Sequence, residues 1–108
     1  MNKIDLNKIE EKEIVPGYFV RFVHSKNMTI AHWNVKAGSS LPSHSHPHEQ
    51  ICTVLEGEFE LTVDNTPHLL KPNNVFVIPS NLQHSSKAIT DCKLTDTFYP
   101  VREDYRKK

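Results

Sequence analysis

The stretch Gly38–Gly57, GSSLPSHSHPHEQICTVLEG, decides how the rest of the chain is read. His44 and His46 stand two apart, so on an extended strand both imidazoles leave the same face. Gln50, four residues further on, shares their parity. Ile51 to Leu55 then reads as a strand, and Glu56-Gly57-Glu58 turns the chain back into Phe59-Glu60-Leu61-Thr62-Val63. Two imidazoles and an amide oxygen converging from one strand pair can hold a divalent metal. They still need a partner from elsewhere in the chain.

Working outward, that partner is His84, inside Ile78-Pro79-Ser80-Asn81-Leu82-Gln83-His84. Together the two stretches resemble the paired motifs of the cupin superfamily. The first motif runs from a glycine through His-x-His and an acid to a second glycine, and Gly38, His44, His46 and Gly57 fall at its spacings. Gln50 stands where most cupins have Glu. In the second motif Pro79 and His84 fit, while Asn81 replaces a glycine. Asn is the next-best residue for a positive-φ turn, so that departure is mild. The resemblance implies an all-β fold, a single-domain jelly-roll (double-stranded β-helix) barrel over residues 1–108.

The local patterning agrees with an all-β chain. After Gly57 short β-prone runs recur at Phe59 to Val63, Thr66 to Leu70, Val75 to Ile78, His84 to Ala88 and Cys92 to Phe98. Asp64-Asn65 and Lys71-Pro72-Asn73-Asn74 supply turns between them. Upstream, Tyr18 to Val23 and Met28 to Val35 read as strands around the polar loop His24-Ser25-Lys26-Asn27. No 3.6-residue period competes with this pattern. Residues 1–16 alternate weakly and carry Ile4, Leu6 and Ile9, which read as a short edge strand or a loose turn of helix, with a strand lying on another subunit, hence a homodimer, the favoured reading. The tail 102–108, REDYRKK, is a helical turn or a frayed end.

Composition excludes some classes. Thirteen Lys plus Arg balance thirteen Asp plus Glu, so no charge excess points to nucleic acid or a membrane surface. No apolar run approaches membrane-spanning length, and no export signal is visible. Cys52 and Cys92 lie mid-strand without a CxxC pair and read as reduced thiols of a cytoplasmic protein. Of the seven histidines, His24, His32 and His68 read as surface residues. His48 is set apart by Pro47 and reads as solvent-facing or as a support beside the site.

The expected metal ligands are His44, His46, Gln50 and His84, holding zinc, nickel, iron or manganese. With three His and one Gln the site keeps a net charge near +2, against +1 with Glu, which favours an anionic ligand. The alternative is a metal-free cavity that retains polar residues. A second cluster lies in Asp96-Thr97-Phe98-Tyr99-Pro100-Val101-Arg102-Glu103-Asp104. Asp96 and Phe98 share parity, and Arg102 follows after Pro100 redirects the chain. On spacing alone, a satisfied strand carboxylate and a solvated terminus is the better reading.

Resemblance changes that balance. HSHPHEQ, then LEGEFE, then Asp-x-Phe-x-Pro-x-Arg-Glu-Asp is similar to KdgF-type cupins of pectin and alginate breakdown, over most of the chain from Tyr18 to Asp104. Gln as fourth ligand agrees with that subgroup. It implies conversion of 4,5-unsaturated uronate monosaccharides, small carboxylated sugars, to the linear 4-deoxy-5-keto uronate. Asp96, Phe98 and Arg102 match its catalytic residues, with Arg102 and Phe98 also contacting substrate. Asn73-Asn74 and Asn81 depart from the wider cupin pattern, both at turns. Two other functions remain open: a cupin dioxygenase and a non-catalytic sugar or metabolite sensor.

Overall fold

Asp64 and Asn65 both take positive φ, 48° and 65°, and join β6 (Phe59–Val63) to β7 (Thr66–Leu70) in a two-residue hairpin with Val63 opposite Thr66. That turn matches the twist of its flanking strands, which is why Asp and Asn serve there. At Gly57, φ is 86° and a Cβ would run into the carbonyl oxygen of Asp91. Only glycine satisfies both constraints.

The computed structural model describes residues 1–107. Besides β6 and β7 it contains β1 (Lys12–Val15), β2 (Tyr18–His24), β3 (Thr29–Val35), β4 (Ser40–His44) and β5 (Glu49–Glu56). These are completed by β8 (Val75–Ile78), β9 (His84–Ala88), β10 (Cys92–Tyr99) and a one-turn helix α1 (Glu103–Arg106). Two antiparallel sheets result, ordered β1-β2-β3-β10-β5-β8 and β4-β9-β6-β7. The all-β jelly-roll expectation holds, with one correction: among the described residues no strand ladder joins the two sheets, so they are not closed into a continuous barrel.

Alternation fills the space between the sheets. On β10, Cys92, Leu94, Asp96 and Phe98 point inward and are buried, and on β5 so are Gln50, Cys52 and Val54. Tyr18, Val20, Ala31, Trp33 and Val35 meet Phe59, Leu61 and Val63 from the other sheet. Burial of this apolar set is the main favourable term in folding. Polar groups interrupt it at one end only, where Gln50, His84, Asp96 and Arg102 are all buried. There the aliphatic packing gives way to a cavity.

The N-terminal arm contains both a helical turn and an edge strand. β1 pairs with β2 of its own chain, and Leu6–Lys8 forms a 3₁₀ turn. Arg21 ties the arm down, its Nε donating to the Ile9 carbonyl (3.0 Å) and its Nη1 to Glu11 (2.9 Å). The helical-turn alternative for the tail is realised in α1, whereas Lys108 lies outside the described residues. Both cysteines are free and buried. Among the described residues no helix is long and apolar enough to cross a membrane.

Candidate metal centre and carboxylate pocket

His44 and His84 are direct cross-strand partners on β4 and β9, with ring centroids 4.3 Å apart. His46 lies beyond the end of β4, and its ring is 5.0 Å from that of His84 and 5.8 Å from that of His44. Simple strand alternation therefore does not place the pair. β4 ends at His44 after a register shift past Leu41, and the following loop carries His46 inward. A backbone bond holds that loop: the Asn81 N–H donates to the His46 carbonyl (2.8 Å). Asn81 does so at φ 67°, so the turn of the second motif directly braces the first. One ring nitrogen from each of the three histidines lies within 4.8 Å of the others.

Protons in the cluster follow from its backbone contacts. The Nδ1 atoms of His44, His46 and His84 face the carbonyl oxygens of Pro42 (2.9 Å), His48 (3.0 Å) and Leu82 (2.9 Å). A carbonyl only accepts, so each Nδ1 carries a proton, which leaves Nε2 as the nitrogen through which a neutral ring would bind an ion. The His84 Nε2 is buried with no hydrogen-bond partner. Burial, the Arg102 guanidinium and His84 press the His46 pKa down to about 4, and burial lowers that of His84. Neutral rings with aimed lone pairs are what a divalent ion requires. Gln50, on β5, brings its Oε1 to 3.0 Å from the His46 Nε2. This donor set fits a divalent transition metal held by His44, His46 and His84, with Gln50 beside them.

Asp96, Phe98 and Arg102, which the family resemblance singles out, line the same cavity. Asp96 stands between Ala31 and Cys52 in the sheet, two small neighbours that leave room above its carboxyl. Burial raises its pKa to about 6, against the lowering influence of the Gln50 amide, the Cys52 thiol, the Trp33 indole and Arg102. Its Oδ1 lacks a hydrogen bond of good geometry. Arg102 follows the cis Tyr99–Pro100 bond, and its N–H donates to the fully buried Thr29 hydroxyl (2.9 Å). The guanidinium carbon sits 4.7 Å from the Phe98 ring centre and 4.0 Å from that of Tyr105. Cation–π contact of this kind suits arginine because its charge is delocalised and weakly hydrated.

Several cavity residues were not foreseen. Tyr105 is an aromatic in a charged tail, and that contrast was its only signal in the sequence. Tyr18 is hydrogen-bonded to Ser86 at 2.8 Å, and burial pushes its pKa up to about 12. Cys52 is held protonated by burial and by Asp96. His48 lies outside the three-histidine group but beside it, its ring 5.5 Å from that of His46. His24 is half-buried rather than free on the surface, with its Nδ1 2.8 Å from the Thr29 hydroxyl.

Residues 31–98 match the family described as Cupin domain. Among solved structures, KdgF from Halomonas sp. superposes with a TM-score of 0.86 at 25% identity, over 92% of this chain and 93% of that one. An RmlC-like cupin from Shewanella frigidimarina gives 0.87 at 28% identity, covering 92% and 90%. Salicylate 1,2-dioxygenase from Pseudoaminobacter salicylatoxidans, at 17% identity and 0.77 over 81% of this chain and 26% of that one, shares the fold alone. No curated protein matches the sequence. The matched domain, the two-sheet topology and the histidine cluster agree, and the chain belongs to the cupin family as a small single-domain cupin of the KdgF type.

Proposed function

We propose that this cupin opens the ring of 4,5-unsaturated uronate monosaccharides to give the linear 4-deoxy-5-keto uronate. The observation that carries the reading is the sharing of one cavity wall by Asp96, Phe98, Arg102 and the histidine cluster. The similarity to KdgF from Halomonas sp. supports it.

The substrate is a cyclic hemiacetal whose ring oxygen also belongs to an enol ether at C5. Asp96 takes the proton of the hydroxyl on C1. The bond from C1 to the ring oxygen breaks, its electron pair staying on that oxygen, and C1 becomes the aldehyde. Asp96 then delivers a proton to C4, and the C5 enol becomes the ketone. A pKa of about 6 suits a group that must both accept and release a proton near neutrality. Arg102 holds the carboxylate, and Phe98 walls off water. A divalent ion, if held by His44, His46 and His84, would supply Lewis acidity at this end of the cavity. No electrons are exchanged with a second substrate, so atoms and charge balance within one molecule.

The test is loss of the conjugated enol-ether absorbance when metal-loaded protein meets unsaturated galacturonate. Acceleration over spontaneous opening is expected. No acceleration would sink the reading, and oxygen uptake with an aromatic or keto acid would favour a dioxygenase instead. Self-association through the N-terminal arm belongs to the same proposal. Sedimentation should show a dimer that weakens when residues 1–12 are deleted, and a monomer at micromolar concentration would refute it.

A further inference from the structure

Arg102 does not meet the cavity with its whole charge free. Asp104 Oδ1 accepts from Nε (3.0 Å) and Asp104 Oδ2 from Nη2 (2.8 Å), a parallel two-bond pair along one edge of the guanidinium. The Arg102 side chain is 8% exposed, whereas that of Asp104 is 54% exposed. Asp104 therefore grips a buried cation from the solvent side. Among the described residues Asp104 is the carboxylate paired with Arg102.

A guanidinium has two forks: Nε with Nη2, and Nη1 with Nη2. Asp104 fills the first. The side chain still faces the site, because Arg102 lines the same cavity as His46, His84 and Asp96. The helix that carries Asp104 is itself pinned. Tyr105 stacks on Phe22 with ring centres 4.5 Å apart and planes 23° apart, and Arg106 Nη2 donates to the Ser25 carbonyl (2.7 Å). A pinned carboxylate on one edge and aromatic rings against the guanidinium fix the direction of the other edge.

We propose that Asp104 is a positioning residue. It occupies the Nε–Nη2 edge of Arg102 and so presents the Nη1–Nη2 edge to the carboxylate of the ligand. The proposal rests on the uronate reading for its substrate, and it adds that ligand and Asp104 share Arg102 rather than compete for it.

The experiment uses the full, metal-loaded chain with Asp104→Asn, Asp104→Glu, Arg102→Lys and the double variant Asp104→Asn/Arg102→Lys. Two readouts are taken: turnover of unsaturated galacturonate, and calorimetric binding of saturated galacturonate against galactose. Asp104→Asn is expected to raise KM about tenfold with kcat nearly unchanged. It should weaken galacturonate binding by a similar factor and leave galactose binding alone. Asp104→Glu should recover most of the loss. Once Arg102 is Lys, which has no fork to orient, Asp104→Asn should add nothing. Additive penalties, or tighter binding in Asp104→Asn, would overturn the positioning role. Asp104-dependent galacturonate binding without turnover would overturn the ring-opening reading and leave the positioning role standing. Turnover equal in wild type and Asp104→Asn would do the reverse. Equal affinity of wild type for galacturonate and galactose would remove the carboxylate pocket and the positioning role with it.

Discussion

His46 Nε2 and Gln50 Oε1 face each other at 3.0 Å, although each presents a lone pair. The pair is favourable only if the amide turns its NH₂ toward the ring or a cation lies where both can donate to it. Two donors at right angles on an ion with bonds of about 2.1 Å are separated by about 3.0 Å. The spacing suits joint ligation.

Gln50→Leu should accordingly leave metal-free stability within about 1 kcal/mol of wild type, because it removes a repelled acceptor. Chelator competition should show metal affinity falling about tenfold or more. Gln50→Glu should do the opposite, tightening metal about tenfold through its added charge while slowing turnover. Unchanged affinity in both variants would remove Gln50 from the site.

Asp96 and His46 should bend the stability of the metal-free protein in opposite directions. Folding raises the Asp96 pKa from 3.8 to about 6, so its contribution is complete below pH 3.8 and is lost as pH rises through 6. Folding lowers the His46 pKa from 6.5 to about 4, so its contribution is present above 6.5 and is lost as pH falls toward 4. The two trends offset between pH 4 and 6. Asp96→Asn should leave the His46 trend alone, with stability then rising with pH in that window. At pH 7.5 the variant should be more stable, by up to about 3 kcal/mol, while turnover drops. Denaturant melts at several pH values measure this, and parallel curves for both proteins would contradict it.

Arg102→Lys should cost about 2 kcal/mol or more in kcat/KM, since lysine lacks the planar fork. Metal content should not change. Wild-type activity in this variant would remove Arg102 from the substrate site.

Asn81→Gly should be tolerated, whereas Asn81→Val should cost about 1–2 kcal/mol because β-branched residues resist φ near 67°. The Asn81 N–H braces the His46 carbonyl, so the Val variant should also bind metal more weakly. Equal metal affinity in the two variants would break the link between the motifs.

The site was legible where it depends on spacing within short segments. His44, Gln50 and His84 needed only motif and register; alternation along β10 put Asp96 and Phe98 on one face, but only the family resemblance marked them as site residues. β4 was hidden by Pro42 and its serines, which carry little strand signal, and its register shift cannot be read from parity. Tyr105 and Asp104 were illegible for another reason. Their roles arise from contacts with Phe22 and Arg102 across the fold, while locally REDYRKK looks like a solvated end. Open sheets rather than a closed barrel likewise depend on long-range pairing that no single strand encodes.

That the sheets remain unjoined gives the histidine cluster a mechanical meaning. His44 and His84 belong to the four-stranded sheet, while Gln50 belongs to the six-stranded one. An ion held by all of them would act as a clasp between the two sheets, beside the Tyr18–Ser86 hydrogen bond that also spans them. Parting the sheets and releasing the ion become one event. At a free metal concentration a hundredfold above Kd, that event is harder by about 2.7 kcal/mol. Chelation should therefore loosen amide protons on β4 and β5 together, long before the turn at Gly57, at the far end of β5 from Gln50, responds.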